Sequence, residues 1–131
     1  MGSPLVISYL DTNVAICLHS GNVTRLTRRA IEQIEAADLL VSAMVMLELE
    51  MLYEKGTIQY DAARILSDLN QKIGLSVCQF PMAAVMSSAL TVKWTREPGD
   101  RIIVANAIAN NEAPLITSDR RINEQYQNAI W

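Results

Sequence analysis

Short apolar runs alternate with longer stretches of helical period along almost the whole chain. Leu5 to Leu10 is mostly apolar and β-branched or aromatic, with the length of one buried strand. Thr12 and Asn13, followed by Val14, Ala15, Ile16 and Leu18, predict a turn into a short helix stopped by Ser20-Gly21. Thr24 to Ala36 places Leu26, Ala30, Ile31 and Ile34 at helical spacing, with Arg25, Arg28, Arg29, Glu32 and Glu35 on the other side. It reads as an amphipathic surface helix whose arginines are most simply a solvated face. Leu39 to Ser42 predicts a second strand. Ala43 to Lys55 predicts a helix ending at Gly56, with an apolar stripe through Met44, Val45, Leu47, Met51 and Leu52. Gln59 to Ile73 is another amphipathic helix, closed by Gly74, and Leu75 to Phe80 a strand. Met82 to Trp94 is apolar almost all round, which predicts burial between neighbours, with Met82 and Met86 filling core. Glu97-Pro98-Gly99-Asp100 starts a helix running to about Asn110. Pro114 to Thr117 reads as a strand, Arg120 to Gln125 as a helical turn and Asn128 to Trp131 as a last strand.

Strands alternating with helices predict an α/β fold of three layers, α/β/α, around a mainly parallel sheet. With right-handed crossovers the C-terminal ends of the strands share one edge. Residues 5–131 read as a single domain, and Met1-Gly2-Ser3-Pro4 as a vector remnant outside it. No apolar run approaches the ~18 residues of a spanning helix, so no membrane segment is expected. Cys17 and Cys78 are far apart in apolar surroundings and lack the spacing of a zinc or redox motif, which suits reduced thiols in a cytoplasm.

A net charge of −3 argues against nucleic-acid binding through bulk positive charge. Divalent cations change that: two of them bring the formal total to about +1 and reverse the local field. Asp11 sits where the first strand runs out, at the sheet edge where open parallel sheets bind ligands. The same position suits an ordinary helix N-cap. Glu48 falls inside the predicted stripe of its helix, whereas Glu50 and Glu54 fall outside it. A carboxylate there needs a partner, a hydrogen bond or a metal, and a buried salt bridge is the alternative. Asp100 lies in the first turn of its helix, where the dipole favours an anion, and heads the stripe Ile103, Val104, Ala107 and Ile108. Asn106, close to that face, is a candidate to orient a ligand or water. Asp119 follows its strand as Asp11 follows the first.

Asp11, Glu48, Asp100 and Asp119 are thus expected at one edge. Clustered like charges cost stability unless cations neutralise them. Oxygen donors without histidine or cysteine point to Mg²⁺ or Mn²⁺ rather than zinc. The chemistry implied is metal-assisted phosphodiester hydrolysis. His19, the sole histidine, is the one base available for Ser/Cys–His catalysis, and nothing near it in sequence recommends that role. An aspartyl-nucleophile phosphatase would want a second aspartate two positions after Asp11, and Asn13 is there instead.

Leu10-Asp11-Thr12-Asn13, Ser42-Ala43 through Glu48-Leu49, Pro98-Gly99-Asp100-Arg101-Ile102-Ile103-Val104-Ala105 and Leu115-Ile116-Thr117-Ser118-Asp119-Arg120 resemble the four motifs of PIN-domain ribonucleases, most of all the VapC-type toxins of toxin–antitoxin pairs. The resemblance spans essentially the whole chain. It implies that Asp11, Glu48, Asp100 and Asp119 hold one or two Mg²⁺ or Mn²⁺ ions and cut single-stranded or looped RNA, with Thr12, Asn13 and Thr117 in support. The chain departs from the family at Glu97, where many relatives carry Asp, and at Gly99, where many carry a bulky residue. Lys93, Arg96, Arg101, Arg120 and Arg121 flank the last two motifs, where they either contact RNA phosphates or simply balance the acids.

The resemblance further implies a homodimer and a small antitoxin. A seat for the antitoxin is offered by the helices Thr24 to Ala36 and Gln59 to Ile73, with the methionine-rich helix between them, unless all those stripes face the protein's own core. A housekeeping RNA-processing nuclease and an inactive PIN-like binding module remain the alternative functions.

Overall fold

The computed structural model describes residues 6–131, so the reading of Met1 to Pro4 as a vector remnant lies outside the described residues. Among those residues the chain forms five strands and seven α-helices. They run β1 (Val6–Leu10), α1 (Thr12–Ser20), α2 (Arg28–Ala36), β2 (Ala37–Val41), α3 (Ala43–Glu54), α4 (Ala62–Ile73), β3 (Ser76–Val77), α5 (Met82–Ala89), α6 (Pro98–Ala109), β4 (Leu115–Ile116), α7 (Arg120–Gln125) and β5 (Ala129–Ile130). The strands form one sheet in the order β3-β2-β1-β4-β5. Every pairing is parallel, so each strand ends at the same edge.

Local chemistry sets the boundaries. Thr27 accepts from the Ala30 N–H and Asp61 from the Arg64 N–H, each satisfying a free donor of a first helical turn. These caps start α2 and α4 later than the apolar spacing suggests. Arg25 is therefore off the helix, in a short 3₁₀ turn, Val23–Arg25. Gly74 closes α4 in the left-handed region, at φ 71°, which a side chain would resist.

The core is continuous. Tyr9, Leu10, Val41, Leu115 and Ile116 from the central strands are fully buried against Leu49, Leu69, Ile103 and Ile122 from the helices. Helix α2 packs on β1 and β2, α3 joins α1, α4 and α6, and α5 lies along α6.

Several expected faces turn out differently. Helix α3 buries Val45 and Leu49 and exposes Met46, Leu47 and Met51, so the predicted stripe is rotated. Helix α5 ends at Ala89 and is not enclosed: Met82 is 76% and Leu90 71% exposed, and Met82 fills no core. Of the three helices expected to seat an antitoxin, α2 and α4 turn Ala30, Ile65 and Leu69 into the protein's own core. The methionine-rich helix α3 packs Met44 against the core and leaves Met46 and Met51 exposed.

Candidate active site

Parallel register brings Asp11 and Thr117 together. Leu10 pairs with Ile116, so the next residue of each strand sits side by side at the sheet edge. The Thr117 hydroxyl donates to Oδ2 of Asp11 at 2.6 Å, and the Thr12 N–H donates to Oδ1 at 2.8 Å. Thr117 also accepts from the Asp119 N–H at 3.0 Å, which ties the two aspartate positions through one hydroxyl. Asp11 thus caps α1 and faces the cleft as well; the two readings of it are compatible. Asp119 caps α7 by accepting from the Ile122 N–H.

Glu48 arrives from the β2 side of the sheet. Ser42, just past β2, accepts from the Met44 N–H and starts α3. One and a half turns on, Glu48 Oε1 accepts from the Thr12 hydroxyl at 2.5 Å. No salt bridge neutralises it among the described residues. Its approach passes over Gly99, where a Cβ would stand 2.2 Å from Oε2. The missing side chain at Gly99 is what admits the carboxylate to the start of α6.

Asp11, Glu48, Asp100 and Asp119 all line one cleft of about 350 Å³, together with Thr12, Asn13 and Lys55. Burial raises the Asp11 carboxyl above its ordinary range, against the Thr117 and Thr12 hydrogen bonds, and Asp119 adds to the rise. Burial likewise raises Glu48, with the charges of Asp11 and Glu97 behind it and the Thr12 bond opposing. Asp100 is pushed up to about 6, first by burial and then by the charges of Asp119, Asp11, Glu48 and Glu97. One carboxylate feeling four others describes a site short of positive charge.

Two of these participants went unremarked as site residues in the sequence. Glu97, at the start of α6, adds to the field on both Asp100 and Glu48. Lys55 follows the last turn of α3, and only its fold position puts a cation on the cleft wall. The acidic groups in the cleft offer oxygen ligands, with neither histidine nor cysteine among the lining residues, which fits a hard cation. The carboxylates share one cleft, but as they stand no group of three or more acidic, histidine or cysteine side chains among the described residues is drawn together closely enough to hold a metal ion.

The basic residues divide. Arg101 is spent on backbone, donating to the carbonyl of Ala89, the last residue of α5, at 2.8 Å and to that of Thr95 at 3.2 Å. Arg121 stacks its guanidinium 5.9 Å from the Trp94 ring centre and donates to the Trp94 carbonyl. Arg120 pairs with Glu124 on its own helix. Lys93 and Arg96 are exposed and form no ion pair among the described residues.

Asn106 is not at the site. It is buried and donates to the Tyr9 hydroxyl and the Cys78 sulfur, inside the core. His19 pairs with Asp68 at 2.8 Å, so its partner is a carboxylate and not a serine or cysteine nucleophile.

Comparison with known proteins bears on the fold and the family. Residues 8–127 match the family described as PIN domain. Ribonuclease VapC22 of Mycobacterium tuberculosis is 36% identical over 120 residues, covering 86% of this chain and 87% of the relative. Among solved structures, a toxin–antitoxin complex from Klebsiella pneumoniae superposes with a TM-score of 0.66 at 19% identity, over 95% of this chain and 96% of the other. VapBC2 from Rickettsia felis, bound to a DNA fragment from its promoter, gives a TM-score of 0.58 at 17% identity over 95% and 96%. At those identities the structures speak to the fold alone. The profile match and the VapC22 identity go further: this chain belongs to the PIN-domain family, as a protein of the VapC type.

Proposed function

We propose that this chain is a metal-dependent endoribonuclease that hydrolyses RNA phosphodiester bonds and serves as the toxin of a toxin–antitoxin pair in the cytoplasm. The observation that carries the reading is the gathering of Asp11, Glu48, Asp100 and Asp119 on one cleft, where burial first and then the charges of the neighbouring acids push Asp100 up to about 6. Those four carboxylates would hold one or two Mg²⁺ or Mn²⁺ ions. When bound, such an ion supplies charge against the phosphoryl oxygens and makes a water acidic enough to act near neutral pH.

The chain's own groups do the positioning. Thr117 and the Thr12 N–H fix both oxygens of Asp11, and each oxygen keeps a lone pair free. The Thr12 hydroxyl fixes Glu48. Asp100, in the first turn of α6, lines the same cleft and would complete the set of oxygen ligands. Of the five basic residues that flank the last two motifs, Lys93 and Arg96 are exposed and unpaired among the described residues, and they would set the position of a phosphate backbone without reading its sequence.

The partners are proposed on similarity and on surface. The relatives whose structures match include toxin–antitoxin complexes, which supports a small antitoxin for this chain. Exposed Met46, Leu47 and Met51 on α3, with Phe80 and Met82 at the start of α5, support a surface that a partner or second copy covers. The deciding experiment is cleavage of single-stranded RNA in Mg²⁺ or Mn²⁺, stopped by a chelator. Asp11→Asn and Asp100→Asn should each abolish cutting and keep the fold; full activity in either sinks the assignment.

A further inference from the structure

Beside the acid cleft lies a second cavity of about 380 Å³, within the range of small-molecule sites, roughly 300–1,000 Å³. Asn13 lines both cavities, so they adjoin across a single side chain. Ser118, on the wall of the second, lies in the chain between Thr117, which binds Asp11, and Asp119. Trp131, immediately after β5, forms another part of the wall. The cavity therefore sits on the β5 side of the acids, whereas Glu48 reaches them from the β2 side.

Its lining has a definite chemistry. Arg25 is exposed and forms no ion pair among the described residues, unlike Arg28, which pairs with Glu32. No carboxylate side chain lines the cavity, and the carboxylate that ends the chain at Trp131 forms no ion pair with the guanidinium. Trp131 is half-buried, packed against the core and lining the cavity at once. Val14 and Ile16 add apolar surface, and Asn13 and Ser118 are exposed amide and hydroxyl groups. A cation, an aromatic plane and two neutral hydrogen-bonding groups are the set that a single nucleotide uses: phosphate on the guanidinium, base on the indole, sugar and base edges on the amide and hydroxyl.

The geometry points to a subsite for the one nucleotide that flanks the scissile bond of a single-stranded RNA, built from Arg25, Trp131, Asn13 and Ser118. A strand seated there passes Asn13 into the acid cleft. This subsite presupposes the ribonuclease reading of that cleft, and it makes the substrate unpaired on one side of the cut, because a base stacked on an indole is not in a duplex.

The test uses the full chain in Mg²⁺ and a series of single-stranded oligoribonucleotides lengthened one nucleotide at a time from either end. For the parent, one particular added nucleotide, at one end only, should lower KM by roughly tenfold, the scale of one base stack. Arg25→Ala and Trp131→Ala should erase that gain with kcat unchanged, and Trp131→Phe should keep most of it. Adenosine monophosphate should quench indole fluorescence in the parent and not in Trp131→Phe, which retains Trp94. Should Trp131→Ala fail to fold, the exposed Arg25→Ala and the Trp131→Phe fluorescence decide. If the parent cuts RNA while Arg25→Ala matches it at every length and the quench survives in Trp131→Phe, the subsite is overturned and the ribonuclease reading stands. If the parent cuts no RNA, both fall.

Discussion

A methyl group on Gly99 would stand 2.2 Å from Oε2 of Glu48, closer than any non-bonded carbon and oxygen can approach. The clash falls on the far end of a flexible side chain, so Gly99→Ala should leave the fold intact. Alanine is also about 1 kcal/mol better than glycine within a helix, which offsets what strain remains. Glu48 must then swing away from the start of α6, against its bond to Thr12. Cleavage should drop by about 10²-fold, as expected for a displacement on the scale of 1 Å. An unchanged melting temperature with a lowered kcat is the expected pair of measurements.

Asp100 makes stability depend on pH. Its carboxyl titrates at about 6 in the folded chain, against 3.8 for an unperturbed aspartate. The folded metal-free protein therefore holds this proton more tightly than the unfolded chain does. Stability is lost as pH rises between those values and stays lower above them. Asp100→Asn should melt higher than wild type at pH 7 without metal. Discounted for partial exposure, the gain is about 1 kcal/mol, and it should vanish near pH 4. Adding Mg²⁺ or Mn²⁺ should raise the wild-type melting temperature and leave Asp100→Asn nearly flat.

Thr117 serves two acids with one hydroxyl, donating to Asp11 and accepting from the Asp119 N–H. Thr117→Val keeps the shape and leaves the Asp119 N–H without that partner, at a cost of about 1–3 kcal/mol. It should also weaken metal binding by loosening Asp11, on the order of 10–100-fold. Thr117→Ser should restore most of both. Calorimetric titration with Mn²⁺ and thermal melts of the two variants check this.

The basic residues should separate by salt. Lys93→Ala and Arg96→Ala should each flatten the dependence of RNA affinity on ionic strength by about 0.7 in the log–log slope. Arg101→Ala should leave that slope alone and lower the melting temperature, because its guanidinium holds the Ala89 and Thr95 carbonyls. A large slope change in Arg101→Ala with no loss of stability would reverse this assignment.

Much of this protein is written locally. The alternation of strand and helix, the caps that begin the helices, and the placing of Asp11 and Asp119 just past strand ends depend on neighbours a few residues away. Such features are legible in a linear sequence because period and capping act over one or two turns. The parallel sheet followed from them, since short strands separated by helices have few other ways to bury both faces.

What depends on partners distant in the chain was settled only by the tertiary structure. Helix α3 has apolar residues on several sides, and packing against α1, α4 and α6 chose Val45 and Leu49 as its buried pair. Asn106 could not be read as a core residue until Tyr9, 97 positions away, came beside it. Thr117 meets Asp11 across 106 positions because Leu10 pairs with Ile116, and one residue of slip in that register would part them. Gly99, a departure from the family pattern in the sequence, became the opening for Glu48 only once α3 crossed α6. The residue types were present from the start; the distances between them, which decide their charge and their chemistry, belong to the fold.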